Sequence, residues 1–290
     1  MRDIFKYLYK KIIFFIKNQK LRYIPYRKLF IIYIRNRNLK YKVISLKEAV
    51  KYKKSNTIFI LGSGPSIKKI TKEQWKYISI HDSFGINFSF LLDFVPTFHS
   101  MEDGKIDWYR KFIEKRLESR RKKLSKTIWF ISNRHLFRFI HPRLTPGFFP
   151  ENPIVCIYKF PDVITLENDR PFKKNDFSKT IVYRGSLSLV LHLIDKLDYK
   201  NIVLLGIDLN TPEHFFYDME EMKEYVDYQK KMHDNDKFEY MITKEGKYRP
   251  FDEYLFALND FYFRPKNINL YIGTKDNILY PNLETYSWDD

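Results

Sequence analysis

An α/β fold, built on a mainly parallel sheet with helices on both faces, is what three features of this sequence predict. Thr57–Leu61 and Ile202–Leu205 are short, continuous apolar runs, the pattern of strands buried on both sides. Each run stops at a glycine, Gly62 and Gly206. Between such runs lie segments with helical spacing, above all the strongly apolar Ser186–Leu197. Strands alternating with helices give a parallel α/β sheet of the Rossmann-like kind.

The remaining elements follow in chain order. Ile67 to Ile78 reads as a turn or short helix carrying Trp75. Ser83 to Phe90 is a second strand, with Asn87 near its end, and Phe94 to Ser100 a third. Gly104 to Leu124 is a long charged helix, and Thr127 to Ser132 another strand. The stretch Phe137 to Asn175 carries Pro142, Pro146, Pro150, Pro153, Pro161 and Pro171 and reads as a lid-like irregular region, an insert over about residues 137–178. Residues 218–232 and Asp252 to Phe261 read as helices, and Asn269 to Ile272 as a last strand. The expected division is an N-terminal segment, residues 1–45, followed by one α/β domain, residues 46–290.

Charge is concentrated in that first segment. The formal net charge is +17, and residues 1–40 hold 12 Lys or Arg against the single acid Asp3. The rest of the chain is therefore only mildly basic. Wound as a helix, residues 2–17 put Ile4, Phe5, Leu8, Ile12, Phe15 and Ile16 on one arc of about 120°, with Arg2, Lys6, Lys10 and Lys17 opposite. A basic amphipathic helix of this kind suits the interface of an anionic membrane; docking on the domain is the alternative. No run reaches the roughly 18–20 apolar residues of a membrane span. The segment also lacks the small-residue cleavage site of a signal peptide. These readings place the protein in the cytoplasm, peripheral at the inner membrane. The single cysteine, Cys156, excludes a disulfide framework and a Cys-rich metal site within one chain. No metal and no cofactor are expected, and no nucleic-acid partner.

Three segments place polar residues where an open α/β sheet binds ligands, beyond the carboxyl ends of its strands. Gly62, Ser63, Gly64, Pro65 and Ser66 follow the first buried strand. Glycines allow close backbone approach, and a following helix start offers N–H groups to a phosphate. The run is neither a full dinucleotide fingerprint nor a P-loop, and a tight structural turn is the competing reading. Asp208, in Gly206-Ile207-Asp208, stands just past a second strand, where a carboxylate can act as nucleophile, base or metal ligand, with a turn cap as the competing reading. Phe98 to Asp103 clusters His99, Glu102 and Asp103. Paired carboxylates serve glycosyl transfer, although acids also favour a helix start. His214 lies close in sequence to Asp208.

These residues carry a resemblance. Ile58 to Ile70 closely resembles the N-terminal nucleotide-binding motif of Campylobacter-type sialyltransferases, and Gly185 to Asp208 resembles their second motif. Phe251 to Leu279 is similar to their C-terminal helix and strand more loosely. Related β-Kdo transferases share the Gly-x-Gly-Pro-Ser and Gly-Ile-Asp pattern. The resemblance implies a membrane-associated, metal-independent glycosyltransferase. It would use a CMP-activated keto-acid sugar, Kdo or sialic acid, to extend a surface glycan of the lipopolysaccharide or capsule type. The CMP moiety would lie on Gly62 to Ser66, Asn87 and Ser186. The inverting sialyltransferases have a catalytic His before the C-terminal helix, where this chain reads Lys244 to Pro250 with no His. His99 or His214 would then supply the base, or the reaction follows the retaining β-Kdo transferases, with Asp208 as nucleophile and Glu102 as its partner. The rival readings are a pyrophosphokinase-like enzyme that takes ATP and Mg²⁺, and a basic nucleotide- or RNA-binding module.

Overall fold

The structure, a computed structural model, describes residues 40–101, 107–132, 152–166, 170–235 and 249–288. Nine strands form one sheet in the order β1-β6-β5-β4-β3-β2-β7-β8-β9. They are β1 (Lys42–Ile44), β2 (Thr57–Leu61), β3 (Asp82–Ile86), β4 (Phe98–Ser100), β5 (Ile128–Ser132), β6 (Ile154–Tyr158), β7 (Asn201–Leu205), β8 (Asn269–Ile272) and β9 (Glu284–Thr285). Every pairing is parallel. The sheet is thus wholly, not mainly, parallel.

Helices cover both faces because strand side chains alternate. Ile58 and Ile60 of β2 join one core with α1 (Leu46–Ala49), α4 (Gly185–Lys196) and α6 (Phe251–Leu258). Phe59 and Leu61 join the opposite core with α2 (Lys72–Ile80), α3 (Asp107–Glu118) and α5 (Lys223–Asn235). α4 is strongly apolar, with Leu187, Leu189, Val190, Leu191, Leu193 and Ile194 buried. Arg116 and Arg120 lock α3 to the turn before α5 through Glu221, with Arg120 Nη2 2.6 Å from Glu221 Oε1.

The topology fixes the ligand position. From β2 the chain winds outward through β3 to β6, then returns through α4 to β7 on the other side of β2. The direction of winding therefore reverses between β2 and β7, the switch point beyond whose strand ends open α/β sheets bind ligands.

Several boundaries differ from the sequence reading. The irregular region contains β6, bounded by Pro153 and Pro161; Ile154–Tyr158 pairs with both β1 and β5. Prolines that read as loop here punctuate a central strand. The segment read as membrane-associating ends in β1, so its last residues belong to the sheet. The second strand is shorter than expected, because Asn87 at φ +50° turns the chain out of β3 into a 3₁₀ turn. The amphipathic helix at residues 2–17, the Lys244 to Tyr248 stretch and Glu102 lie outside the described residues.

Candidate functional site

Residues after β2 form a tight turn knitted to the residues after β7. Gly62 N–H donates to the Leu205 carbonyl and Gly64 N–H to the Gly206 carbonyl, both at 2.8 Å. The Asp208 carboxylate accepts the Ser66 N–H at 2.7 Å. Both glycines are required by contact. A Cβ at Gly62 would lie 2.2 Å from the Gly206 carbonyl oxygen, and one at Gly64 2.4 Å from Asp208 Oδ2. Gly206 itself sits at φ +64°, a conformation that penalises any side chain.

These bonds revise how the turn would bind. The amides of Gly62, Gly64 and Ser66 are spent inside the protein. The residues that follow, Pro65–Lys69, form a five-residue 3₁₀ turn, and α2 starts only at Lys72. A phosphate cradle of stacked amides does not form there. The glycines are buried against Gly206 and Asp208, and what the turn presents is Ser63, Pro65 and Ser66, each half-buried.

The uncapped helix start is elsewhere. α4 begins at Gly185, φ +71°, and the residue at its N-cap, Arg184, makes no side-chain capping bond. The N-terminal turn of a twelve-residue helix carries amides with no acceptor within the helix and the positive end of the macrodipole. Gly185 is exposed and Ser186 half-buried, so this end faces the crevice side of the sheet. Asn87 Nδ2 donates to Ser186 Oγ at 3.2 Å. Leu61 pairs with Gly85 in register, so β2 and β3 end side by side. Asn87 and Ser186 thus meet across about 100 positions of sequence, and the Gly62–Ser66 turn leaves the strand next to the one that Asn87 ends.

The other site residues take defined places. Asp208 is half-buried against the glycine turn, where it acts as the cap of that turn. Phe215 N–H donates to the Ser63 carbonyl at 2.9 Å and brings His214 next to the same turn. The His214 ring stacks on Phe216 with centroids 5.0 Å apart. His99 is different. It is fully buried beneath Asn87, 4.7 Å from the Trp129 ring and 3.4 Å from Ser89 Oγ. Burial drives its pKa down to about 3, so the ring is neutral and shielded from any acceptor hydroxyl. Its place under the Asn87 turn makes it a support for that turn.

Two residues escaped the sequence reading. The Tyr183 hydroxyl receives the Arg249 N–H at 2.7 Å and donates to the Arg249 carbonyl at 3.2 Å. This ties the stretch before α6 to the start of α4, three residues from Ser186. Arg249 also pairs with Glu253. The stretch where the resemblance implied a His is thus anchored through the Arg249 backbone, with its guanidinium turned to Glu253. The clue in the sequence was the aromatic-basic pair Tyr183-Arg184 directly before Gly185. Among the described residues, no group of three His, Cys, Asp or Glu is placed to hold a metal ion.

Fold and site together define an open parallel α/β protein with the polar side chains of Asn87, Ser186 and Asp208 beyond the strand ends at its topological switch point. No family model matches the chain, and no curated protein matches it. Among solved structures it is similar to sialyltransferases. A variant of the sialyltransferase CstII in complex with CMP is 16% identical at a TM-score of 0.45, over 80% of this chain and 86% of that one. CstII from Campylobacter jejuni in complex with the substrate analogue CMP-3FNeuAc is 16% identical at a TM-score of 0.41, over 80% and 85%. A second CstII variant in complex with CMP is 15% identical at a TM-score of 0.44, over 79% and 86%.

Proposed function

We propose that this chain is a glycosyltransferase that transfers a CMP-activated keto-acid sugar, of the Kdo or sialic acid type, to a bacterial surface glycan at the membrane. The observation that carries the reading is the Asn87–Ser186 hydrogen bond beside the glycine turn. It joins two of the three segments on which the motif resemblance would place CMP, and the third, the Gly62–Ser66 turn, follows the neighbouring strand. Pyrimidine and ribose would lie on the Gly62–Ser66 turn. The phosphate would sit at the start of α4, where the helix dipole, the Ser186 hydroxyl and the Asn87 amide favour an anion. The same groups would stabilise CMP as it leaves, because its phosphate gains charge as the bond to the sugar carbon breaks.

Asp208 and Glu102 supply the carboxylate chemistry in this proposal. In the retaining course, a carboxylate oxygen of Asp208 attacks the sugar C2 and CMP departs with the bonding electrons. The acceptor hydroxyl then attacks C2, Asp208 is released, and the hydroxyl proton passes to Glu102. Asp208 Oδ2 already accepts the Ser66 N–H, so its other oxygen is the one assigned to attack. The inverting course has one observation in its favour, the position of His214 beside Ser63. There His214 would take the acceptor proton during a single displacement.

Thermal unfolding tests the reading. CMP at a hundredfold excess over its dissociation constant should stabilise the protein by about 2.7 kcal/mol. ADP and AMP should not, and Asn87→Ala with Ser186→Ala should remove the protection. Mg²⁺-dependent ATP turnover in place of CMP protection would overturn it in favour of a pyrophosphokinase-like enzyme.

A further inference from the structure

Because every strand is parallel, all the strand N-termini share one edge, opposite the crevice. At three of the nine strands this edge is strongly basic. The segments leading into β2, β5 and β8, residues 51–56, 119–127 and 264–268, hold ten Lys or Arg and no acid. The segments leaving β2, β3 and β7, residues 62–66, 87–91 and 206–210, hold no Lys or Arg and one acid, Asp208. Contacts confirm that the leading segments share an edge. Lys54 and Ser55 N–H donate to Asp82 at the start of β3, and Lys53 reaches the Asp198 carbonyl and lies 4.8 Å from the centre of the Tyr199 ring before β7.

The acids nearby are mostly engaged. Asp82 is buried, Asp195 pairs with Lys266, Asp198 with Lys200, and Asp260 with Arg264. Lys54, Lys122 and Lys126 are exposed and have no acidic partner among the described residues. The edge is also apolar in places. Six large hydrophobic side chains are exposed among the described residues, and three stand here: Val50, Ile80 at 68% and Phe261. Ile80 ends α2 immediately before β3, and Phe261 lies just before the 264–268 segment.

We propose that this edge of the sheet is itself a docking face for an anionic lipid bilayer. Lysines around isolated protruding apolar side chains match a surface of anionic headgroups over hydrocarbon. A nucleic acid would use the charge but not Ile80 or Val50. The chain preceding Lys40 joins the domain at the same edge, since β1 starts at Lys42. The basic segment 1–40 and the basic edge therefore act on one plane. The inference deepens the membrane reading of residues 1–40. It turns the crevice away from the lipid by at least the length of a strand, about 17 Å for five residues.

The test uses the full-length protein, so the N-terminal segment stays in place. Each basic residue at such a surface contributes about fivefold to partitioning. Lys54→Gln, Lys122→Gln and Lys126→Gln together should therefore weaken flotation with phosphatidylglycerol vesicles by up to about a hundredfold. Ile80→Asp should weaken it further, and phosphatidylcholine vesicles should bind neither protein. CMP protection of the variants reports that they are folded, and it separates failure of the edge from failure of the donor site. Hydrogen exchange on vesicles should slow in residues 50–56 and 119–127. The proposal is overturned if the folded triple variant partitions like the parent, or if it loses RNA binding while keeping vesicle binding.

Discussion

Replacing Gly64 by alanine isolates the contact that holds the glycine turn to Asp208. The backbone at Gly64, φ −69° and ψ 155°, is open to any residue, so conformational strain is not the issue. The added Cβ would lie 2.4 Å from Asp208 Oδ2, 2.7 Å from its Cγ and 2.8 Å from its Cβ. Asp208 must therefore swing away and give up the Ser66 N–H. A hydrogen bond to a charged group contributes about 1.5–3 kcal/mol. Restricting the unfolded chain returns about 0.4–1 kcal/mol. Gly64→Ala should thus destabilise the fold by about 1–2 kcal/mol. In an Asp208→Gly background the obstacle is gone, and the same substitution should be neutral or mildly stabilising. Urea unfolding of the four proteins should give a coupling of about 2 kcal/mol. Additivity within about 0.5 kcal/mol, as for sites that do not touch, would refute the reasoning.

Three further outcomes follow from the site. His99 is neutral when folded and accepts a proton when unfolded, so its stability contribution is complete above pH about 6.5 and is lost as pH falls toward its folded pKa of about 3. Its substitution by glutamine should flatten the acid side of the stability profile by about 1.4 kcal/mol per pH unit between pH 6 and 4, and an unchanged slope would show that the ring is not held neutral. Asp208→Asn should retain CMP binding while turnover falls by orders of magnitude, and a sugar adduct on Asp208 detected by mass spectrometry identifies double displacement. Near-normal turnover would leave Asp208 as a turn cap only. Deleting residues 1–20 should weaken sedimentation with anionic vesicles while transfer to a soluble acceptor continues, whereas unchanged sedimentation would show that the helix is not the anchor.

Much of this arrangement could be read from residue patterns, and the exceptions have physical causes. β2 and β7 were legible because strands buried on both faces need uninterrupted apolar runs, as Thr57–Leu61 and Ile202–Leu205 supply. β6 was not, because Pro153 and Pro161 flank it so closely that loop composition masked five apolar residues. β1 and β9 are three and two residues long, too short for any period to register. Asn87, Ser186 and the glycine turn were each visible as local signals. The meeting of Asn87 with Ser186 depends on which elements are neighbours, and no local pattern encodes that. The internal use of the turn amides was hidden for the same reason: their acceptors, the Leu205 and Gly206 carbonyls, lie more than 140 positions away. His99 illustrates the converse. Its neighbours in sequence, Glu102 and Asp103, suggested chemistry, but alternation along β4 directs the ring into the core against Trp129.

The central claim is that the crevice receives a CMP-activated keto-acid sugar. Hydrolysis of donors in the absence of acceptor tests it most directly, with CMP-Neu5Ac, CMP-Kdo and a set of UDP and GDP sugars offered in parallel. Release of CMP from one of the two CMP donors, lost in Asn87→Ala with Ser186→Ala and absent with every UDP and GDP sugar, is the predicted result. Turnover of a UDP or GDP sugar with both CMP donors untouched would contradict the account.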